Sequence, residues 1–458
     1  MLKQDTIAAI ATPSGTGGVG IIRISGPASE KIARLIFHPS RPDCEWVSHR
    51  LYHGDIVSID GRTILDEVLV SLMRRPHSFT GEDVLEINCH GSPVIMQAIL
   101  SQLMQAGCRL ARPGEFSQRA FLNGRVDLSQ AEALAALVGA RSEKTCAIGL
   151  AHLKGALKAE IENMRSLLVE VLAVTETSID FAEDISGREA LEIMPQLTTL
   201  TQRLQALIAS YQTARIYAEG INVIITGKPN VGKSSLLNTM TGKNKAIVTD
   251  IPGTTRDLIT GTIDINGIPV NLVDTAGIRK PQNSIEKAGV DLAWENLASA
   301  DLVIVLLDGS KPLTEEDKEI CNGIAAKNYL VAVNKTDLPS SWEPAEINKM
   351  LPEGRILKIS AKFGRGIEDL KNMIVSYAVT DHIDNAGEVM ITNMRHKAAL
   401  EKALGNIKKA KENTICGMSP EFSAFDLREA MDNLDEITGR RIDDAVLDKI
   451  FSSFCIGK

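Results

Sequence analysis

The run Gly227-Lys228-Pro229-Asn230-Val231-Gly232-Lys233-Ser234 has the residue types and spacing that hold a nucleoside triphosphate. An apolar, β-branched run (Ile221, Val223, Ile224, Ile225) precedes it, and a helix-forming run, Ser235-Leu236-Leu237-Asn238, follows. Strand, glycine loop and helix are the context a phosphate loop needs. Glycines let backbone N–H groups close around phosphate oxygens, and the helix N-terminus adds favourable partial charge. Lys233 can reach the β- and γ-phosphates, and Ser234 can place its hydroxyl on Mg²⁺. A glycine turn with a solvated lysine would explain this segment alone, but matching parts follow downstream.

Asp274-Thr275-Ala276-Gly277 ends a second apolar run, Val270 to Val273. Asp274 would hold Mg²⁺ through water, and the Gly277 amide would face the γ-phosphate. Asn334-Lys335-Thr336-Asp337 ends a third run, Leu330 to Val333, and there Asp337 is the base reader. A carboxylate accepts two hydrogen bonds, and guanine offers paired N1–H and N2–H donors. Adenine lacks both, and the unpaired carboxylate costs roughly 10⁴-fold in discrimination. Ser360-Ala361-Lys362 follows Ile356 to Ile359 and resembles the last guanine-contact loop of GTPases. One such segment is weak evidence. Four in this order, each at a strand end, point to GTP at the carboxyl edge of an open α/β sheet.

The loop Thr249-Asp250-Ile251-Pro252-Gly253-Thr254-Thr255-Arg256-Asp257 precedes the second strand. Thr255 is a candidate Mg²⁺ ligand, and Arg256 a candidate catalytic residue. Backbone carbonyls here could hold a monovalent cation doing the work of an arginine finger, an effect of about 10³–10⁵ in rate. Asn230 either supplies that cation an oxygen or is a turn residue. Where Ras-like enzymes carry a water-orienting glutamine, this chain has Ile278. Glu286 is the candidate substitute, against its plainer reading as an acid at a helix start.

These segments need elements to position them. The chain has 458 residues, 44% of them hydrophobic and 24% charged, enough for about three domains at ~150 residues each. Residues 1–120 mix short apolar runs with Gly and Pro and read as an α+β domain. Residues 121–216 read as the first part of an all-α helical domain, with Ser129 and Glu132 as a capping box. Apolar residues from Leu134 to Val171, and from Leu197 to Tyr211, recur at helical spacing. Residues 217–378 alternate strand and helix, as a parallel sheet does. Residues 379–458 are helical again, so the α/β domain is expected to be inserted into the helical one, whose two parts pack together.

No apolar run approaches the ~20 residues of a membrane span. Seven cysteines without a Cys-x-x-Cys pair point to a reducing cytoplasm and against structural zinc. The net charge of −8 excludes an overall basic surface, not a local RNA patch. Arg109, Arg112, Arg119 and Arg125, and separately Lys408, Lys409 and Lys411, read either as such patches or as solvated faces.

Taken together, the sequence resembles the MnmE (TrmE) tRNA-modification GTPases over nearly its whole length. The most specific mark is Phe454-Cys455-Ile456-Gly457-Lys458; others are Ser78-Phe79-Thr80-Gly81-Glu82-Asp83, Arg112-Pro113-Gly114-Glu115-Phe116-Ser117 and Gly253-Thr254-Thr255-Arg256-Asp257. The resemblance implies three parts: a folate-binding-like N-terminal domain that also mediates homodimerisation, a helical domain, and an inserted P-loop GTPase domain. It implies 5-formyltetrahydrofolate or a related tetrahydrofolate at Arg23, Glu86 and Arg125, with Lys458 closing the site. It implies K⁺ at Asn230, Thr249, Ile251 and Thr254, Mg²⁺ at Ser234 and Thr255, and water positioned by Glu286. It also implies an FAD-containing partner, MnmG (GidA), in a heterotetramer or larger complex. Together they would add an aminomethyl or carboxymethylaminomethyl group to C5 of the wobble uridine of certain tRNAs. Cys455 reads as a nucleophile or acid near the folate, or as a conformational part of the tail. The competing readings are a translational or ribosome-assembly GTPase switch, and a folate enzyme with an accessory GTPase.

Overall fold

The computed structural model describes residues 5–41, 45–140, 142–180, 189–242, 259–274, 300–324, 328–341, 355–378 and 389–457. Its contacts divide the chain into two compact units. One comprises Met1–Val138, His152–Leu200 and Lys402–Lys458; the other comprises Gly139–Ala151 and Thr201–Glu401.

The first unit opens with a seven-stranded sheet. Its strands are β1 (Ile7–Ile10), β2 (Gly17–Ser25), β3 (Phe37–Pro39), β4 (Leu51–Val57), β5 (Ile64–Met73), β6 (Val84–Gly91) and β7 (Arg109–Leu110), in the order β3-β4-β5-β6-β2-β1-β7. All pairs are antiparallel except β1 with β7. Strand β5 shows the expected period of two: Val68, Val70 and Leu72 are buried while Glu67 and Leu69 are exposed. Helices α1 (Ser29–Ile36) and α2 (Pro93–Gln105) bury Ile32, Ile36, Met96, Ile99 and Leu103 in the same core as those strand residues.

Helix α3 (Glu115–Leu122) carries Arg119, which overturns part of the basic-patch expectation. Arg119 is only 1% exposed. Its guanidinium pairs with Asp5 at 2.6 Å, Glu82 at 3.0 Å and Glu115 at 3.2 Å. Arg109 joins the same cage through Asp5 and Glu115, at 2.8 and 2.6 Å. A buried guanidinium requires such partners, so Arg119 is neither part of an RNA patch nor on a solvated face, while Arg109 keeps a side chain 42% exposed.

Within the expected helical part, 121–216, the chain runs through α4 (Leu128–Val138), α5 (Glu143–Leu153) and α6 (Ala156–Asp180). The capping box lies two residues earlier than expected. Asp127 accepts from the Gln130 N–H at 2.8 Å, and the Gln130 side chain accepts from the Asp127 N–H at 3.0 Å. The Asp127 carboxylate accepts the first-turn N–H, so Ser129 is a helix residue whose hydroxyl donates back to Asp127. Helix α7 (Glu189–Glu219) follows.

After the insertion come α11 (Met394–Ile415), α12 (Pro420–Thr438) and α13 (Asp444–Ser452). Helices α6 and α12 pack together, as the insertion required. Leu157, Ile161, Met164, Leu168 and Val171 are buried on α6, and Leu427, Ala430, Leu434 and Ile437 on α12. Arg165–Asp435, Arg440–Glu162 and Arg428–Glu176 edge this seam. The apolar stripes carry the association; the more exposed Arg440–Glu162 and Arg428–Glu176 pairs contribute at most about 1 kcal/mol each. No helix among the described residues is long and apolar enough to cross a membrane.

The second unit holds a six-stranded sheet: β8 (Ile221–Thr226), β9 (Ile259–Ile265), β10 (Ile268–Asp274), β11 (Leu302–Asp308), β12 (Tyr329–Asn334) and β13 (Arg355–Lys358). The order is β13-β12-β11-β8-β10-β9, parallel apart from β9. Strand β11 is buried at all seven positions, as a central parallel strand covered on both faces must be. Helices α8 (Lys233–Thr241), α9 (Glu315–Ile324) and α10 (Ile367–Ala378) are described in the same unit.

Candidate functional site

Parallel strands deliver the sequence motifs to one edge. The phosphate loop leaves the carboxyl end of β8, Asn334 closes β12, and Ser360 follows β13. Asp274 closes β10. Two glycines permit the phosphate loop. Gly227 (φ 151°) sits where a Cβ would lie 2.3 Å from the Leu306 carbonyl oxygen, and Gly232 (φ 105°) where it would lie 2.3 Å from Asn334 Nδ2. Asn230 at the loop crest is also left-handed, φ 64°, and exposed.

The interior of this loop suits polyphosphate. Lys233 Nζ donates to the Gly227 and Lys228 carbonyls at 2.7 and 2.9 Å, so its ammonium lies against the loop's own backbone. Gly232 is the N-cap of α8 and brings no capping side chain. The helix N-terminus therefore presents backbone N–H groups and positive partial charge. Ser234 and Ser235, in the first turn, are exposed, and Val231 is buried.

Asn334 ties the loops together. Its Nδ2 donates to the Val231 carbonyl at 2.8 Å, and its Oδ1 accepts from the Ala361 N–H at 2.9 Å. One buried carboxamide thus fixes the phosphate loop, the Asn334–Asp337 loop and the Ser360–Lys362 loop to one another. Thr336 Oγ1 donates to the Ile359 carbonyl at 2.8 Å, and Thr239 of α8 donates to the Ala361 carbonyl at 2.7 Å. Exposed Asp337 accepts from the Ser360 hydroxyl at 2.6 Å. That bond holds its carboxyl below the usual carboxylate range, with Lys362 and Arg365 assisting. Lys362 is exposed beside the Phe363 ring, its ammonium 5.3 Å from the centroid.

Sequence reasoning missed β11 and the turn after it. Asp308 pairs with Lys335 at 2.6 Å, and the Gly309 N–H donates to the Asn334 carbonyl at 2.9 Å. The signal was an unbroken apolar run ending in Asp-Gly-Ser, a strand followed by a turn.

A second cluster lies in the first unit. Arg23 on β2 stands opposite Glu86 on β6 in register, and their side chains pair at 2.8 Å. The guanidinium also donates to the Gly457 carbonyl at 3.1 Å and lies over the Phe79 and Phe116 rings, 5.2 and 5.8 Å from their centroids. Arg125 donates to the Ser78 carbonyl at 3.0 Å, one residue from Phe79. Phe451 and Phe454 are buried with Leu128, Ala131 and Leu447, which seats the tail. Cys455 is exposed, and its carbonyl accepts from the Gly114 N–H at 3.3 Å. Burial pushes the Cys89 and Cys321 thiols up to about 11 and the Cys108 thiol up to about 12. The two aromatic rings beside Arg23 were not anticipated as part of this cluster.

The expected residues Thr249, Asp250, Ile251, Pro252, Gly253, Thr254, Thr255, Arg256, Thr275, Ala276, Gly277, Glu286 and Lys458 lie outside the described residues.

Comparison with known proteins agrees with this arrangement. The family model for the MnmE helical domain matches residues 128–455, and the one for the GTP-binding protein TrmE N-terminus matches residues 6–125. The chain is 46% identical over 458 residues to the tRNA modification GTPase MnmE of Syntrophus aciditrophicus, with 100% of both chains covered. It is 42% identical over 459 residues to the protein of that name from Acetivibrio thermocellus, again with 100% of both covered. With relatives of this identity over its full length, the chain belongs to the MnmE (TrmE) family of tRNA-modification GTPases.

Proposed function

We propose that this protein hydrolyses GTP with K⁺ stimulation. With an FAD-containing MnmG-type partner, it adds an aminomethyl or carboxymethylaminomethyl group to C5 of the wobble uridine of certain tRNAs. A tetrahydrofolate such as 5-formyltetrahydrofolate supplies the one-carbon unit. The proposed layout is a folate and dimerisation domain (1–120), a helical domain in two parts (121–216 and 379–458) and a GTPase domain (217–378). The protein acts in the cytoplasm as a homodimer.

The observation that carries the reading is the Asn334 carboxamide, which locks the phosphate loop to both base-reading loops. In this reading Val231 to Ser235 cradle the phosphates, and Asp337 reads the guanine edge. Ser234 holds Mg²⁺ together with Thr255. Asn230 shares K⁺ with Thr249, Ile251 and Thr254. Asp274 to Gly277 and Asp250 to Gly253 close on the phosphates. Glu286 positions water, Arg256 adds catalytic charge, and Cys455 is a candidate reactive thiol.

What supports the folate site is the second cluster. The Arg23 cation and Glu86 acid suit the carboxylates and ring donors of a folate, and the tail carbonyl of Gly457 already touches that pair. Arg125 approaches the same region through Ser78. Nucleoside analysis of bulk tRNA from a strain lacking this protein tests the reading. Loss of the modified wobble uridine is expected. Unchanged wobble uridines would leave a GTPase switch without tRNA chemistry.

A further inference from the structure

Lys335 pairs with the Asp308 carboxylate at 2.6 Å and stands two residues before a second, Asp337. Asp308 closes β11 opposite Asn334 in parallel register and is 8% exposed. One of its oxygens accepts from the Ser310 N–H and hydroxyl at 3.0 and 2.6 Å, and the other from the Lys335 ammonium at 2.6 Å. Asp337, two residues beyond Lys335, is exposed. The two turns are joined further: the Ser341 N–H donates to the Gly309 carbonyl at 2.9 Å, and its hydroxyl to the Ser310 carbonyl at 2.6 Å. Lys335 itself is left-handed, φ 64°, a backbone that needs such bracing.

A lysine on a flexible stem goes to the carboxylate whose charge water screens least. Here that is Asp308. Burial works to raise its carboxyl pKa, but the Lys335 and Ser310 bonds outweigh burial and leave it lowered. We infer that Asp308 is a positioning residue, whose buried carboxylate holds the Lys335 ammonium away from Asp337 and leaves Asp337 to the paired N–H donors of the base. The inference rests on Asp337 reading guanine. Without Asp308, the ammonium turns to Asp337 and competes with the base for it. The guanine 2-amino group then loses its advantage.

The test measures dissociation constants for GTP and for inosine triphosphate, which lacks that amino group, on the full chain. The wild type prefers GTP. Asp308→Asn narrows the GTP-to-inosine ratio by about fivefold or more. Adding Lys335→Met removes the straying charge and restores much of the ratio, which no general defect at Asp308 would allow. If Asp308→Asn is unstable by thermal unfolding, Asp308→Ser, whose hydroxyl keeps a polar partner for Ser310, repeats the measurement. An unchanged ratio in the folded single variant, or a double variant no better than the single, overturns the inference. A wild type indifferent to the two nucleotides instead overturns the guanine reading beneath it.

Discussion

The Arg23 guanidinium donates to the carbonyl of Gly457 at 3.1 Å, joining the second strand to the penultimate residue of the chain. Gly457 is left-handed (φ 91°), and a Cβ there would lie 2.5 Å from the Ile10 carbonyl oxygen. Gly457→Ala is therefore expected to lift the tail off Arg23. Losing a hydrogen bond to a charged group costs about 1.5–3 kcal/mol. Affinity for 5-formyltetrahydrofolate should fall by about tenfold or more, as calorimetry would measure. Full affinity in a folded Gly457→Ala protein would separate the tail from the proposed folate site.

Gly232→Ala should disable the phosphate loop. The new Cβ would press on Asn334 Nδ2 at 2.3 Å, and the left-handed backbone adds about 1–2 kcal/mol of strain. The Asn334 bond to Val231 would break with it. GTP affinity, read by fluorescent-nucleotide titration, should drop by about two orders of magnitude. A drop under twofold would show that the loop tolerates a side chain there.

Asp337→Asn should alter base choice. An amide presents one donor and one acceptor, which matches the N1–H and C2 carbonyl of xanthine better than the two donors of guanine. Competition between GTP and xanthosine triphosphate is expected to shift towards the latter. Retained GTP preference would remove Asp337 as the base reader.

The Arg119 cage predicts acid sensitivity. Burial works to raise the Glu115 carboxyl, but bonds from Arg109, the Arg112 N–H and Arg119 bring it down to about 2, and Asp5 is lowered by the same arginines. Carboxyls depressed by folding stabilise the folded state above their ordinary values. That contribution is lost as pH falls from about 4.5 towards 2. Urea midpoints measured from pH 7 to pH 3 should fall below pH 4.5. Arg119→Met should lower stability by about 3–5 kcal/mol at pH 7, because it removes the buried partner of Glu115, Glu82 and Asp5, and flatten that slope. A pH-independent wild-type midpoint would contradict the cage.

Potassium should accelerate GTP hydrolysis where sodium does not, and Glu286→Ala should keep GTP affinity while turnover falls. Phosphate-release assays in matched salts check both. Equal rates in the two salts would remove the cation-loop reading, and an active Glu286→Ala would remove that residue from catalysis.

How much was legible depended on where the signal lay. The phosphate loop and the Asn334–Asp337 and Ser360–Lys362 segments announced themselves because glycine, strand ends and hydrogen-bonding types recur at fixed local spacing. The helical stripe of α6 was legible for the same reason. Arg119 was not, since a sequence shows a cation but not the three carboxylates that fold around it from Asp5, Glu82 and Glu115. The cap of α4 was misplaced by two residues because Asp127 and Ser129 are both good caps, and only backbone geometry chooses between them. Asp308 was invisible as a partner of Lys335, because their contact depends on β11 lying beside β12 in the sheet.

The pairing of α6 with α12 fixes an order of events during synthesis. The residues that complete the seam of α6, from Leu427 to Ile437, leave the ribosome only after the whole nucleotide-binding insert has been made. Domains generally fold as units while the chain emerges. The insert can therefore assemble first, while the apolar stripe of α6 waits uncovered for its partner. Truncation after Glu401 should leave that stripe bare and recruit chaperones to the nascent chain.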